Sequence, residues 1–262
     1  MGSQPEMNTN GQTYASWNWK AGTSFTNDAS GTGIGSIDSA GSFNNDSGFS
    51  IVSYTGTGSA GTIKHGLNSV PSMIIVKDRD NASYSWHVYH VGIGNTKTIY
   101  LDGNYTPDTA STYWNNTTPT SSVFSVGSSV TTNKSSDKFI AYCFTDVKGY
   151  SKVGGSYVGN GANNFIYTGF SPAWVMIKKT DDTHDWHIFD NKRDVYNERD
   201  SWLEANNTQA ETTSSNYVVD FLSNGFKTGS GSGLNGSGET FIFMAFASNP
   251  LVTSTGVPAT AR

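Results

Sequence analysis

Two stretches decide the fold, Gly66-Leu67-Asn68-Ser69-Val70-Pro71-Ser72-Met73-Ile74-Ile75-Val76-Lys77 and Gly169-Phe170-Ser171-Pro172-Ala173-Trp174-Val175-Met176-Ile177-Lys178. Each begins with Gly, passes a Pro beside a Ser, and continues into an apolar run that ends in Lys. Pro is tolerated just before a strand because the sheet does not yet need the missing N–H group there. Each stretch therefore predicts a β-strand, and their likeness predicts an internal repeat.

Three further blocks recur in the same order, each about 100 to 103 residues apart. These blocks are residues 53–58 with 156–161, 86–90 with 186–190, and 139–144 with 241–246. Four ordered blocks at one offset indicate a duplication. We predict two tandem homologous β units at residues 48–150 and 151–262, preceded by an N-terminal part at residues 1–47.

The N-terminal part contains an echo of the same pattern, because residues 14–22 resemble residues 139–149. We interpret residues 14–22 as the last strand of an upstream unit, and we expect it to pair with a sheet of the first full unit, where it can bury its aromatic face. Residues 23–47 are rich in Gly, Ser, Asn and Asp, which predicts a linker with one short strand near residues 34–37.

The composition favours an all-β protein with β-sandwich, jelly-roll-like units. The chain has 29 Gly, 13% aromatic residues and only 14% charged residues, a mixture typical of short strands joined by turns. In each unit we predict seven strands, near residues 49–54, 61–64, 72–77, 85–90, 97–101, 122–127 and 138–147, and near residues 153–157, 164–168, 173–178, 185–190, 217–221, 225–227 and 240–247. The charge-rich segment 191–205 predicts a short helix.

Several functions are disfavoured by charge and hydropathy. The net charge is −5 without a cluster of Lys or Arg, so we expect no nucleic-acid partner. The apolar runs are too short to cross a bilayer, and the first residues lack the apolar segment of a secretory signal, so we expect synthesis in the cytoplasm. Cys143, alone in the sequence, reads as a buried, inert side chain within a strand.

The paired Trp-His blocks are the candidate ligand sites. On an alternating strand, Trp86 lies on one face and His87 with Tyr89 on the other. Indole can stack on the apolar face of a sugar while His and Asp take its hydroxyl groups. The alternative is that both blocks are core residues required by the fold. The candidate ligand-binding residues are Trp86, His87, Tyr89, Trp186, His187, Asp190 and Arg193.

No residue pattern indicates catalysis or a cofactor. The sequence has neither a nucleophile elbow nor a zinc-binding helix, and we expect no enzyme activity and no cofactor. Carboxylates in two turns could hold Ca²⁺ through oxygen ligands, although Asp is also an ordinary turn residue. These weak calcium candidates are Asp78, Asp80, Asp181 and Asp182.

Most of the chain, about residues 12 to 262, resembles a known family: the C-terminal repeated β domain of tail and tail-fibre-like proteins of marine and other bacteriophages. The resemblance rests on Ile140-Ala141-Tyr142-Cys143-Phe144, on Pro258-Ala259-Thr260-Ala261-Arg262, and on residues 48–58, 119–127, 169–175 and 220–227. It implies a setting in the virion, and it supplies no catalytic residues.

We therefore expect a tail-fibre-like module that binds a host-surface glycan or another virion protein. Fibres are usually trimers, so we expect a homo-oligomer in which several weak sites act together. Two alternatives remain open at this point. One is a purely structural virion protein, such as a capsid decoration or tail scaffold, and the other is a surface-polysaccharide hydrolase with two carboxylates in a cleft.

Overall fold

The computed structural model describes residues 9–249, which fold into antiparallel sheets with four one-turn helices. The first half contains β1 (Thr23–Asn27), β2 (Ser39–Asn44), β3 (Phe49–Thr55), β4 (Gly61–Lys64), β5 (Met73–Asp78), β6 (His87–His90), β7 (Lys97–Tyr100), β8 (Asp108–Thr109), β9 (Val123–Val126) and β10 (Lys138–Phe144). The second half contains β11 (Ser151–Val158), β12 (Asn164–Tyr167), β13 (Pro172–Lys179), β14 (Trp186–Asp190), β15 (Ser201–Glu204), β16 (Thr212–Thr213), β17 (Val219–Leu222), β18 (Gly225–Thr228) and β19 (Thr240–Ala247). The helices are α1 (Ala29–Thr32), α2 (Ser111–Trp114), α3 (Val130–Asn133) and α4 (Ser232–Asn235).

The strands form two large and two small sheets. The large sheets have the orders β1-β2-β3-β10-β5-β6-β7-β8 and β11-β19-β13-β14-β15-β16, and the small sheets have the orders β4-β9 and β12-β18-β17. The all-β prediction is confirmed, and the fourteen predicted strands agree with observed strands to within three residues at each end. The order from β3 to β8 matches the order from β11 to β16, strand for strand. That the two halves descend from one duplicated unit stays a prediction.

Three apolar cores separate the four sheets. In the first half, one face of the large sheet packs against β4 and β9 around Val52, Ile63 and Phe124. In the second half, the large sheet packs against β12, β18 and β17 around Phe189, Phe226 and Phe241. The remaining faces of the two large sheets meet each other in a central core, built from Phe49, Met73, Ile75, Val88 and Phe144 of the first half and Trp174, Met176, Trp186, Ile188 and Met244 of the second.

The prediction of a linker at residues 23–47 is wrong. Residues 23–44 contain β1, α1 and β2, and β2 pairs with β3 from Ser39↔Tyr54 to Asn44↔Phe49. Phe25 and Phe43 contact each other across the β1–β2 hairpin with ring centroids 6.0 Å apart. The backbone ladder to β3 stabilises this hairpin although its sequence carries few apolar residues. In place of the predicted strand near residues 34–37, Ile37 forms one isolated parallel bridge to Ile63.

The prediction of a paired strand at residues 14–22 is also wrong, although its aromatic residues do pack against the body of the protein. These residues have no strand conformation. Trp19 lies between the two halves, with its ring centroid 6.0 Å from that of Phe144 and 5.4 Å from that of Phe246. Trp17 contacts Trp174 at 6.3 Å. The segment therefore packs between the two halves at the edge of the central core.

The predicted helix at residues 191–205 is replaced by turns followed by β15. One acidic side chain of this segment, that of Asp194, accepts hydrogen bonds from loop backbone. Its Oδ2 accepts from the backbone N–H of Asp200 at 3.1 Å. The motif at residues 258–262 lies outside the described residues.

Candidate functional site

The first predicted site, Trp86 with His87 and Tyr89, is part of the packed interior. Its alternation is as predicted, with Trp86 toward the central core and Tyr89 toward the core of the first half. His87 and Tyr89 are buried, and half-buried Trp86 stacks on Tyr142 with centroids 6.2 Å apart. The placement of these residues agrees with the alternative interpretation, in which they belong to the packed core of the fold.

The second predicted site is buried as well. Trp186 is 1% exposed, and its Nε1 donates to the carbonyl of Tyr100 at 2.8 Å. His187 is buried beneath Tyr217, with ring centroids 4.5 Å apart. Trp186 therefore connects the two halves.

Asp190 and Arg193, also predicted to bind a ligand, bind each other. Arg193 Nε donates to Asp190 Oδ2 at 2.6 Å, and the backbone N–H groups of Lys192 and Arg193 donate to Asp190 Oδ1. Burial alone would raise the pKa of Asp190, but the hydrogen bonds from Arg193 and Lys192 hold this pKa below its usual value. The pair closes the turn after β14.

The four calcium candidates serve as turn acceptors. Asp78 Oδ1 accepts from the backbone N–H groups of Asp80 and Asn81 at 2.8 and 2.9 Å. Asp80 Oδ2 accepts from the N–H of Lys138, and Asp181 Oδ2 accepts from that of Thr240, so each ties a turn to the first residue of a neighbouring strand. Asp182 lies 3.7 Å from Lys179 Nζ. Within residues 9–249, no three His, Cys, Asp or Glu side chains are grouped to hold a metal ion.

An exposed tyrosine cluster lies above His87. Tyr105 is 60% exposed, and its ring stands edge-on to Tyr100 with centroids 6.0 Å apart. A Cβ atom added to Gly103 would lie 2.8 Å from two atoms on one edge of the Tyr105 ring, so the absence of a side chain at Gly103 leaves room for that ring. Tyr105 thus presents an aromatic surface to solvent.

A carboxylate and two phenols complete the cluster. Tyr113 Oη donates to Asp108 Oδ2 at 2.7 Å, and Tyr100 Oη donates to the same oxygen at 3.2 Å. Burial is the main cause that raises the pKa of both phenols, and the nearby Asp108 carboxylate adds to it. Both phenols therefore stay protonated at neutral pH and remain donors. Burial also lowers the pKa of His87 beneath them to about 4, so that ring is neutral.

The second half holds the loop of this cluster in place. The carbonyl of Asn104 accepts from the backbone N–H of His184 at 2.7 Å and from Lys178 Nζ at 3.3 Å. The sequence suggests that Lys178, as the last residue of its run, reaches solvent, but its side chain is fully buried, and burial lowers its pKa to about 8. A loop fixed at Tyr100 and Asn104 loses little conformational entropy when it binds a ligand.

A family model for a domain of unknown function, DUF7483, matches residues 1–250. The chain belongs to the DUF7483 family. No curated protein and no solved structure matches the chain. Within the described part of this DUF7483 member, no helix is long and apolar enough to span a membrane.

The corresponding region of the second half is closed in this DUF7483 member. Tyr217 packs on His187 and on Trp202, each with ring centroids 4.5 Å apart, and its hydroxyl lies 3.3 Å from His184 Nε2. Trp202 Nε1 donates to Glu204 Oε1 at 3.1 Å, and the Glu204 side chain is nearly buried. Of these two corresponding regions, the cluster of the first half has the most exposed aromatic ring, that of Tyr105.

Sequence reasoning missed Tyr100, Tyr105, Asp108 and Tyr113 because it looked for sites among the repeated blocks. Repeated positions build the packed strands, so their side chains are buried. The four missed residues lie between the third and fourth blocks, where the two halves differ. The sequence signal that could have identified this cluster is the close spacing of three tyrosines and an aspartate in a polar segment.

Proposed function

We propose that this chain is a non-catalytic, tail-fibre-like module of a bacteriophage virion that binds a host-surface glycan. The observation that carries the proposal is the exposed ring of Tyr105, which contacts Tyr100, whose hydroxyl in turn donates to the Asp108 carboxylate. The family resemblance of residues 48–58, 140–144 and 169–175 supports the virion setting.

The tyrosine cluster matches the chemistry of sugar recognition. The C–H face of a pyranose packs on an aromatic ring, and its hydroxyl groups bond to fixed polar groups. Tyr105 supplies the ring, Asp108 supplies a carboxylate acceptor, and the hydroxyl oxygens of Tyr100 and Tyr113, which donate their protons to Asp108, supply two further acceptors. Such a shallow site binds weakly, and a homo-oligomer such as a trimer would add avidity.

Binding to a glycan array and to whole bacterial cells tests the proposal. We expect saturable binding by the unaltered chain and a loss of about tenfold or more in affinity for Tyr105→Ala, because stacking is removed. Tyr105→Phe should retain most of the affinity. Tyr196→Ala is the matched control, since Tyr196 is 81% exposed and lies outside the cluster.

The other functions predict different results. A structural virion protein would bind neither glycans nor cells, and a protein-binding module would bind virion proteins with no effect of Tyr105→Ala on glycans. A hydrolase would release sugar from a polysaccharide. Equal binding by the unaltered chain and Tyr105→Ala would contradict the proposed site.

A further inference from the structure

The exposed Asp108 carboxylate of the tyrosine cluster is not neutralised by a cation of the chain. None of the ion pairs within residues 9–249 includes it. Across the β7–β8 pair, Thr98 is opposite Asp108 and Lys97 is opposite Thr109. Because side chains alternate along a strand, Lys97 faces the other side of the sheet from Asp108. His87, beneath the phenols, is neutral because burial lowers its pKa to about 4. The cluster therefore presents a negative charge to solvent.

The polar side-chain atoms around this carboxylate are acceptors. Tyr113 Oη and Tyr100 Oη donate their protons to Asp108 Oδ2 at 2.7 and 3.2 Å, so the two phenol oxygens keep only lone pairs for a ligand. Asp108 Oδ1 makes no hydrogen bond within the described part of the chain. A sugar hydroxyl both donates and accepts, whereas an ammonium group donates through all of its hydrogens and accepts none. Acceptors around a negative charge therefore suit an ammonium group better than a hydroxyl group.

The rings of the cluster add attraction for a cation. The planes of Tyr100 and Tyr105 stand at 90° to each other with centroids 6.0 Å apart, so the two rings form a corner. The face of an aromatic ring carries partial negative charge and attracts an ammonium group. Tyr100 contacts Tyr105 with its ring and Asp108 with its hydroxyl, so one side chain separates the exposed aromatic surface from the carboxylate. Together they suit a sugar that carries an amino group.

We propose that the ligand of the tyrosine cluster is a glycan that contains amino sugars with a free, positively charged amino group. This inference rests on the proposed glycan-binding function and narrows its substrate class. The C–H face of the pyranose packs on the Tyr105 ring, and the ammonium group donates to Asp108 and to a phenol oxygen. The net charge of −5 attracts a cationic glycan at longer range. Acetylation of the amino group removes its charge and weakens binding.

Glycans that differ only in acetylation test the ligand class. An array carries amino-sugar glycans and their N-acetylated counterparts, among them the trisaccharide of glucosamine and that of N-acetylglucosamine, and the full chain is applied near neutral pH. We expect the free-amine forms to bind at least about tenfold more tightly, because only they bring charged donors. Equal or tighter binding of the acetylated or neutral glycans would overturn this inference and leave the proposed function standing. Binding of no glycan at all would overturn both.

The variant Asp108→Asn tests whether the cluster is the site. It keeps the size of the side chain and an acceptor oxygen but removes the charge, so we expect the affinity for the glucosamine trisaccharide to fall about tenfold or more. Asp46→Asn is the matched control, because Asp46 is also exposed and the substitution changes the net charge equally. It should leave the affinity unchanged. Equal losses in the two variants would show that the overall charge attracts the ligand and would contradict the proposed site.

Two measurements on the unaltered chain need no variant of the cluster. In nuclear magnetic resonance, the glucosamine trisaccharide should shift the amide signals of residues 100–113, and shifts confined to other parts of the chain would contradict the site. The peptide trilysine carries positive charge without a pyranose face, so it should bind more weakly than the trisaccharide because it does not stack on Tyr105. Equal or tighter binding of trilysine would assign the cluster to basic peptides and overturn the proposal.

Discussion

At the scale of single residues, the aromatic and charged side chains that stand out in the sequence bond mostly to the protein itself. Trp186 and Lys178 show this best, because each donates a hydrogen bond from the second half to a carbonyl of the first. The sequence identified both positions through the repeat. It could not show their partners, since Tyr100 and Asn104 lie more than 70 residues away.

Trp186→Ala should lower the free energy of unfolding by about 3–5 kcal/mol, because it leaves a cavity in the central core and removes the hydrogen bond to the carbonyl of Tyr100. Trp86→Ala should cost less, because Trp86 is only half buried. Urea denaturation measures both values. Tyr196→Ala, at an exposed position, should change the free energy by less than about 0.5 kcal/mol. Equal effects of the three substitutions would show that Trp186 has no such role.

At the scale of elements, strand edges decide what the sequence could and could not predict. Apolar runs bounded by Gly, Pro or Asn predicted the interior strands well. The β1–β2 hairpin was missed because it is an edge element whose polar side chains face solvent. β15 was missed because Trp202 and Leu203 provide only a short apolar signal between acidic residues. The loop of the tyrosine cluster was missed because it lies outside the repeated blocks.

Asp146 stabilises the edge of β11 beside a bulge between Lys152 and Gly155, because its Oδ1 accepts from the backbone N–H groups of Val153 and Gly154 at 2.7 and 2.9 Å. Asp146→Ala should destabilise the protein by about 1–2 kcal/mol, because the N–H groups of Val153 and Gly154 lose their acceptor. Asp146→Asn keeps an acceptor oxygen and should cost less, although it loses the exposed ion pair with Lys152. Thermal denaturation of the two variants makes the comparison. If Asp146→Asn costs as much as Asp146→Ala, the ion pair rather than the backbone contact is responsible.

At the scale of the whole molecule, the central core joins the halves. The apolar run Met73, Ile74, Ile75 and Val76 predicted the strand β5, and the structure shows that these four residues are buried on both faces of the sheet. The second face is covered by the large sheet of the other half, and this long-range contact could not be predicted from the local sequence. The repeat therefore predicted two β units, whereas their packing face to face depends on side chains that no local pattern connects.

All five histidines make the whole molecule sensitive to acid. Burial is the main cause that lowers the pKa of His65, His87 and His90 to about 4, that of His187 to about 3, and that of His184 to a lesser extent. In the unfolded chain these rings titrate near pH 6.5. Below pH 6.5 the unfolded state therefore binds more protons than the native state, and stability falls as the pH falls toward 4.

Urea denaturation between pH 7.5 and pH 5 should show this loss. Each histidine contributes a slope of up to about 1.4 kcal/mol per pH unit below pH 6.5, so the total loss by pH 5 should reach several kcal/mol. Stability should be nearly constant from pH 7.5 to 7. The variant His65→Gln should reduce the slope by one proton. A flat profile down to pH 5 would mean that the rings are accessible to protons in the native state.

The contact of Trp19 with the end of the last strand has a mechanical consequence. Because Trp19 contacts Phe246, the polypeptide enters and leaves the described body at one corner. If further segments were joined to both ends, the body would project sideways from the line that connects them rather than lie along it. Tension applied between the two ends would pass across the Trp19 contact and bypass the strands, so the sheets would stay unloaded while the corner opened first.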